Sequence, residues 1–248
     1  TSMLRWFTFS ALLLYILVRV DHQSTGLRRP ALKGQRLLRL GIPVGLSLAL
    51  ESTAFTMMLV FAGWMGPIVL GVFQIGFNVV GVVFMCALGF STAASIRVAH
   101  AIGRNDPTAA SLAGVTAVCL SLIVGVAMGA VLVLAPDAIA KLYSADVDVL
   151  ILAGPAVVAA GFVLAPDACQ AVLTGALRGM SDVWGPVALF VASFWGVMVP
   201  TGWFLGVYSG HGVIGLMTSI ALGCIVASLL LGWRFHKLLS RATSPLAT

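Results

Sequence analysis

Apolar residues along this chain gather into seven long runs, each parted from the next by a short polar or turn-forming stretch. The runs cover residues 3–20, 38–63, 68–99, 108–134, 149–176, 184–207 and 213–233. About 20 consecutive apolar residues cross a bilayer as a helix, so every run predicts a transmembrane helix. The third run is longer than a crossing needs, and its end is expected to project from the membrane as a polar helical extension through Arg97. Gly66-Pro67 predicts a tight turn between the second and third crossings. Residues 135–148, APDAIAKLYSADVD, hold three of the acids and predict a short amphipathic helix at the interface. The pattern divides the chain into a helix at 1–20, a basic linker at 21–36, a six-helix transmembrane bundle at 37–236 and a tail at 237–248.

Composition agrees with this all-α, polytopic reading. The chain is 60% hydrophobic and 9% charged, with a mean hydropathy of +1.08, whereas soluble domains carry about a quarter charged residues. The net charge of +6 follows from topology. With the 21–39 connection on the cytoplasmic side, alternate crossings put every basic residue except Arg5 and Lys141 inside, twelve of the fourteen. That agreement with the positive-inside rule accounts for the basic residues without nucleic acid as a partner. The N-terminus then lies outside, which suggests a chain that begins partway through a larger one. Cys86, Cys119, Cys169 and Cys224 stand alone within apolar runs and are expected to be small buried hydrophobes.

Two acids lie deep in the apolar runs. Glu51 costs roughly 2.5 kcal/mol or more at a bilayer centre and is expected to be a functional group facing a wet or protein-lined interior. It sits 14 residues past Leu37, roughly 20 Å along a helix, while Asp167 sits about ten residues from the cytoplasmic end of an oppositely directed helix, roughly 15 Å. The two carboxylates can therefore share one depth. Asp167, Gln170 and Thr174 fall at i, i+3 and i+7 as a polar stripe, Gln74 and Asn78 form an i, i+4 pair, and Ser47 precedes Glu51 by one turn. Pro166 lacks an N–H and is expected to kink its helix and free a carbonyl at membrane depth. Carboxylates, amides, hydroxyls and a freed carbonyl are hard ligands that suit sodium or a proton-carrying network, and they offer nothing to zinc or copper. Interhelical hydrogen bonding accounts for Gln74 and Asn78 as well as substrate contact does. Gly125 and Gly129 are expected to let two helices approach closely.

No signature of an enzyme is present. Gly210-His211-Gly212-Val213-Ile214-Gly215 matches a dinucleotide fingerprint as a string but opens a membrane helix and follows no soluble strand. There is no HExxH, GxSxG or Walker lysine, no cofactor is implied, and the four histidines are scattered at membrane edges.

Taken together, several stretches resemble the C-terminal half of multidrug and toxic compound extrusion (MATE) transporters, with one preceding helix attached. Gly41-Ile42-Pro43 opens the helix of Glu51, and Gln74-Ile75-x-x-Asn78 follows in the next. Ile96-Arg97-Val98 and Gly103 close that helix; Gly175-Ala176-Leu177-Arg178-Gly179 with Asp182 ends the helix of Asp167. Trp195, Pro200 and Gly212-x-x-Gly215 complete a collinear match from about Arg39 to Arg234. The resemblance implies the second bundle of a twelve-helix fold in a bacterial inner membrane. It implies an antiporter that exports organic cations against inward sodium or proton flow, with Glu51 and Asp167 carrying the coupling ion. Gln74, Asn78, Gln170, Thr174 and Ser47 are the other polar candidates for the cavity. The branch of the family that carries the coupling ion in its second bundle often has a tyrosine one turn before the aspartate, and here Val163 stands there, which leaves a proton, or sodium held by other oxygens, as the ion. The N-terminal six-helix bundle, in the same polypeptide or a second chain, is the implied partner. A lipid-linked or polysaccharide flippase of the same superfamily, which would favour a basic cavity, and a non-transporting fragment or assembly subunit are the alternative readings.

Overall fold

The computed structural model describes residues 34–143 and 147–243, together with residues 6, 7, 10, 11 and 14. Most of the first expected helix and of the basic linker therefore lie outside the described residues. From there the chain runs through α1 (Gly34–Trp64), α2 (Pro67–Gly103), α3 (Pro107–Leu134), α4 (Pro136–Tyr143), α5 (Val147–Gly179), α6 (Trp184–Tyr208) and α7 (Gly212–Thr243). No strand occurs among the described residues. Six of these helices are long and apolar enough to cross a membrane, and they coincide with the last six apolar runs of the sequence. The short α4 forms within residues 135–148, where the sequence predicts a short amphipathic helix. Helix α1 begins at Gly34, inside the stretch expected as linker, because a run of hydropathy ends where the hydrocarbon ends while a helix does not have to.

Local signals set the boundaries. Gly66 adopts φ 115° and Pro67 takes the first position of α2, so the expected Gly66-Pro67 turn forms as a glycine that tolerates positive φ followed by a proline preset for a helix start. Asp106 caps α3, its carboxylate accepting from the Ala109 amide at 2.9 Å, with Pro107 next in line. Helix α2 continues past Arg97 to Gly103, 37 residues in all, which is about 55 Å against a hydrocarbon thickness of about 30 Å. The projecting extension expected from the sequence is this last part of α2. Gly210 and Gly212, with φ 72° and 58°, make the turn between α6 and α7, which is the structural role of the rejected fingerprint string.

Helix α5 is the centre of the bundle and packs against α2, α3 and α7. Its apolar face carries Val157, Ala160, Val163 and Leu164, buried together with Met217 and Ile220 of α7. Toward α3 the approach is set by backbone. A Cβ on Gly129 would stand 2.6 Å from the Gly161 carbonyl oxygen, and one on Gly125 would stand 2.8 Å from the Ala165 Cα. The expected close approach is thus made within the bundle, between α3 and α5. Toward α2, the Ser91 hydroxyl donates across the interface to the Ala171 carbonyl at 2.7 Å. The turn after α5 is tied to α7 by Arg234, whose guanidinium pairs with both oxygens of the Asp182 carboxylate.

Helix α5 passes through Pro155 and Pro166 without ending. In α6 the irregularity is greater than the apolar run suggested. Pro200, which has no N–H to donate, lies between two π-helical stretches, Val191–Met198 and Trp203–Tyr208. Widened turns of this kind absorb the bond that proline cannot make. The cysteines also depart from expectation: Cys86 and Cys119 are exposed, Cys169 is partly so, and only Cys224 is buried. A hydrophobic run in a membrane helix does not distinguish the face toward lipid from the face toward protein.

The α3–α5 contact generates a stability prediction. Gly129→Val has to displace the α5 backbone and is expected to cost about 1–3 kcal/mol or more, seen as a lowered thermal midpoint of the purified protein in detergent. At Gly63 a Cβ meets nothing within 4 Å, so Gly63→Ala is expected to hold or raise the midpoint, through a stability gain of up to about 1 kcal/mol.

Candidate functional site

Helices α1, α5 and α7 bring the two deep acids together. Glu51 lies mid-way along α1 and is half-buried, while Asp167 on α5 is 4% exposed. Between them stands Gln170, 1% exposed and one turn beyond Asp167. Its amide nitrogen donates to Glu51 Oε1 at 3.0 Å and to Asp167 Oδ1 at 3.2 Å. One NH2 group therefore serves two carboxylates from neighbouring helices, which places them at the same level, as the helix arithmetic predicted. The Cys224 thiol of α7 is also directed at Asp167 Oδ1, at 3.6 Å.

The remaining candidates are distributed differently. Thr174 is buried, but its hydroxyl donates to the Gln170 backbone carbonyl at 2.8 Å, so it braces the α5 turn that carries Gln170. Ser47 is 1% exposed; its hydroxyl donates to the Val44 carbonyl at 2.8 Å and accepts from the Arg178 guanidinium at 3.1 Å. Gln74 and Asn78 are exposed on α2, and neither lines the cavity of the two acids. The Tyr143 hydroxyl of α4 donates to the Asn78 amide oxygen at 3.1 Å, an interhelical bond rather than a contact with the acidic pair. Val163 is fully buried in the core and presents no oxygen.

Glu51 and Asp167 open onto a cavity of about 410 Å³ between α1 and α2, walled by Phe55, Phe77 and Phe84 with Thr56 at one side. Its surface is apolar apart from a few groups, and both ionisable groups among its lining are acids. Such a space receives a cation with an apolar body: the carboxylates supply charge and the phenyl faces supply dispersion and a favourable quadrupole. Gln170 Oε1 is buried without a hydrogen-bond partner, so a further neutral oxygen lies within the cluster. No group of three or more His, Cys, Asp and Glu side chains suited to a metal exists among the described residues. Glu51 and Asp167 alone would furnish the charge for a bound cation.

Sequence reading missed Arg178, Cys224 and the wall of Phe55 and Phe77. Arg178 looked like a topological charge at a helix end, yet its side chain folds back to Ser47 and interacts electrostatically with Glu51. Nothing in the i, i+3, i+4 pattern links residues 47 and 178. Pro166 acts through its own carbonyl, which accepts from the Ser228 hydroxyl of α7 at 2.9 Å. Trp195, which the sequence singles out only as part of the family resemblance, donates its indole N–H to the Leu50 carbonyl beside Glu51 at 3.2 Å.

Similarity to known proteins places this chain in a family. The MatE family model matches residues 43–204. A "Probable multidrug resistance protein NorM" of Rhodopseudomonas palustris is 36% identical over 209 residues, covering 82% of this chain and 44% of the relative. The "Multidrug resistance protein NorM" of Burkholderia vietnamiensis is 35% identical over 243 residues, covering 95% of this chain and 53% of the relative. Among solved structures, a crystal structure of the eukaryotic MATE transporter AtDTX14 superposes with a TM-score of 0.83 at 22% identity, over 96% of this chain and 55% of that one. The chain spans about half the length of the curated relatives it matches. A family match across the region that builds the acidic pair, joined to relatives above 30% identity over most of the chain and to the same fold, leads to one conclusion: this chain belongs to the MatE family and is a multi-pass membrane protein with the fold of a MATE transporter half.

Proposed function

We propose that this chain is the cation-coupling half of a secondary multidrug antiporter in a bacterial inner membrane, exporting organic cations in exchange for sodium or protons. The observation that carries the reading is the shared amide of Gln170 between Glu51 and Asp167 at the base of an apolar, aromatic-walled cavity. The amide NH2 is a neutral donor standing between two acids. A bound sodium ion, a proton on either carboxylate, or the cationic centre of a substrate supplies what the NH2 supplies only in part. These species therefore compete for the same oxygens, and competition for one site is what an exchanger requires. An acidic cavity favours cationic cargo over the anionic lipid-linked substrates of a flippase.

Coupling to movement follows from where the acids sit. Glu51 belongs to α1, while Asp167 and Gln170 belong to the central helix α5, so occupancy changes the force between those two helices. Arg178 on Ser47 adds a second tie between the same pair nearer the cytoplasmic end. Alternating access of this kind rocks one bundle against another around the site. The opposite wall comes from a second six-helix bundle, in the same polypeptide or a second chain.

Cells expressing the protein should export a fluorescent organic cation under an imposed ion gradient. Asp167→Asn and Glu51→Gln are each expected to reduce that export roughly tenfold or more, since a charge-assisted contact is worth about 1.5–3 kcal/mol; full export by both variants rejects the assignment. Gln170→Leu leaves two buried acids without their common donor and should lower thermal stability by about 1–3 kcal/mol. That cost should shrink when Asp167→Asn is already present, a coupling readable from melting curves of the four proteins in detergent.

A further inference from the structure

A second recess lies between α2 and α3, away from the acidic pair, and its lining follows two helical stripes. On α2 the stripe runs Phe90, Ala93, Ala94, Arg97, Ala101 and Arg104, with His100 beside it; on the antiparallel α3 it runs from Ala109 through Ala113 and Ala117 to Leu120. Alanine at successive turns of both helices hollows a groove of about 730 Å³, because side chains at those positions stop at Cβ. Phe90 and Leu120 close one end, and Arg97, His100 and Arg104 crowd the other.

The groove crosses the edge of the membrane. Leu120 stands 14 residues before Leu134, the outer end of α3, about 21 Å and so within the hydrocarbon. Arg97 stands 30 residues beyond Pro67 on α2, about 45 Å and past the hydrocarbon on the cytoplasmic side. Arg97, His100 and Arg104 are exposed, and no acid lines the groove. The nearest acid in sequence, Asp106, is engaged in capping α3. Two guanidinium groups and an imidazole that keeps an N–H in either protonation state stand beyond the hydrocarbon, on the side where a headgroup phosphate leaves it and within reach of their long side chains. Basic pockets between helices on this side of a membrane suit anionic headgroups.

We propose that the α2–α3 groove binds an anionic glycerophospholipid of the cytoplasmic leaflet, with Arg97, His100 and Arg104 on its phosphodiester and one acyl chain along the alanine floor. Topology alone accounts for basic residues at a cytoplasmic helix end, but it does not account for their convergence on a groove that continues into the hydrocarbon. The occupant therefore needs an anionic head and an apolar tail in one molecule. This site stands apart from Glu51 and Asp167, and the proposal does not depend on the transport reading.

Native mass spectrometry of the purified protein in detergent, titrated with phosphatidylglycerol or with phosphatidylcholine of the same chains, tests it. Phosphatidylglycerol should bind at least tenfold more tightly. Arg97→Gln and Arg104→Gln should each weaken that binding about fivefold and the pair together about 25-fold, while Arg241→Gln on α7 should leave it within twofold. Leu112→Trp, at an exposed position on the groove wall, should add tryptophan fluorescence that brominated phosphatidylglycerol quenches and brominated phosphatidylcholine does not. Equal binding of the two lipids, undiminished binding by the double variant with an unchanged melting midpoint, an equal effect of Arg241→Gln, or complete displacement of the lipid by millimolar inorganic phosphate would each overturn the proposal.

Discussion

The amide of Gln170 reaches two carboxylates on two helices at a depth where lipid offers no hydrogen-bond partner at all. In hydrocarbon an unpaired polar group costs several kcal/mol, so the positions of Glu51, Asp167 and Gln170 are mutually dependent: moving any one strands the others. The rest of the local structure holds these three in register. Thr174 braces the turn that carries Gln170, Ser228 holds the Pro166 carbonyl next to Asp167, and the Cys224 thiol closes on Asp167 from α7. Arg178 and Ser47 repeat the α1–α5 tie below it.

That arrangement requires α5 to be central, and α5 is central because its neighbours can come close. The glycines of α3 bring backbone against backbone at Gly161 and Ala165, and Ser91 bonds across to α2. Small residues do in the membrane what large apolar side chains do in a water-soluble core, since lipid tails already satisfy large apolar groups and only close packing and polar contacts favour one helix over lipid. The same use of small residues in the lower part of α2 and α3 leaves space instead of contact, and there the helix surfaces are lined with charge.

The acidic cavity and the basic groove thus divide the molecule by sign. Glu51 and Asp167 sit deep within the bundle, where low dielectric makes a paired charge strong and an unpaired one costly. Arg97 and Arg104 lie exposed toward the C-terminal end of α2, where an anionic leaflet would supply the counter-charge of the proposed lipid site. The two sites share no lining residue.

Hydropathy and helix periodicity, read along the chain alone, determined the six long apolar helices, the short helix α4 between two of them, and the depth shared by Glu51 and Asp167. These features depend on length, on hydropathy and on the 1.5 Å rise, all of which are local or additive along a chain. Only the tertiary structure decided which polar groups meet. The i, i+3, i+7 stripe of α5 is legible, but that Gln170 joins Asp167 to Glu51 while Thr174 turns to its own backbone depends on which face of α5 meets α1. Gln74 and Asn78 show the converse, since an equally good i, i+4 pair is exposed and takes no part in the lining of the acidic cavity, with Asn78 held by Tyr143. Arg178 reaches Ser47 across 131 positions, and Cys224 reaches Asp167 across 57. A membrane helix is apolar on nearly every face, so its sequence carries little of the contrast that tells a soluble helix which side is inward, and the packing of small residues makes that choice instead.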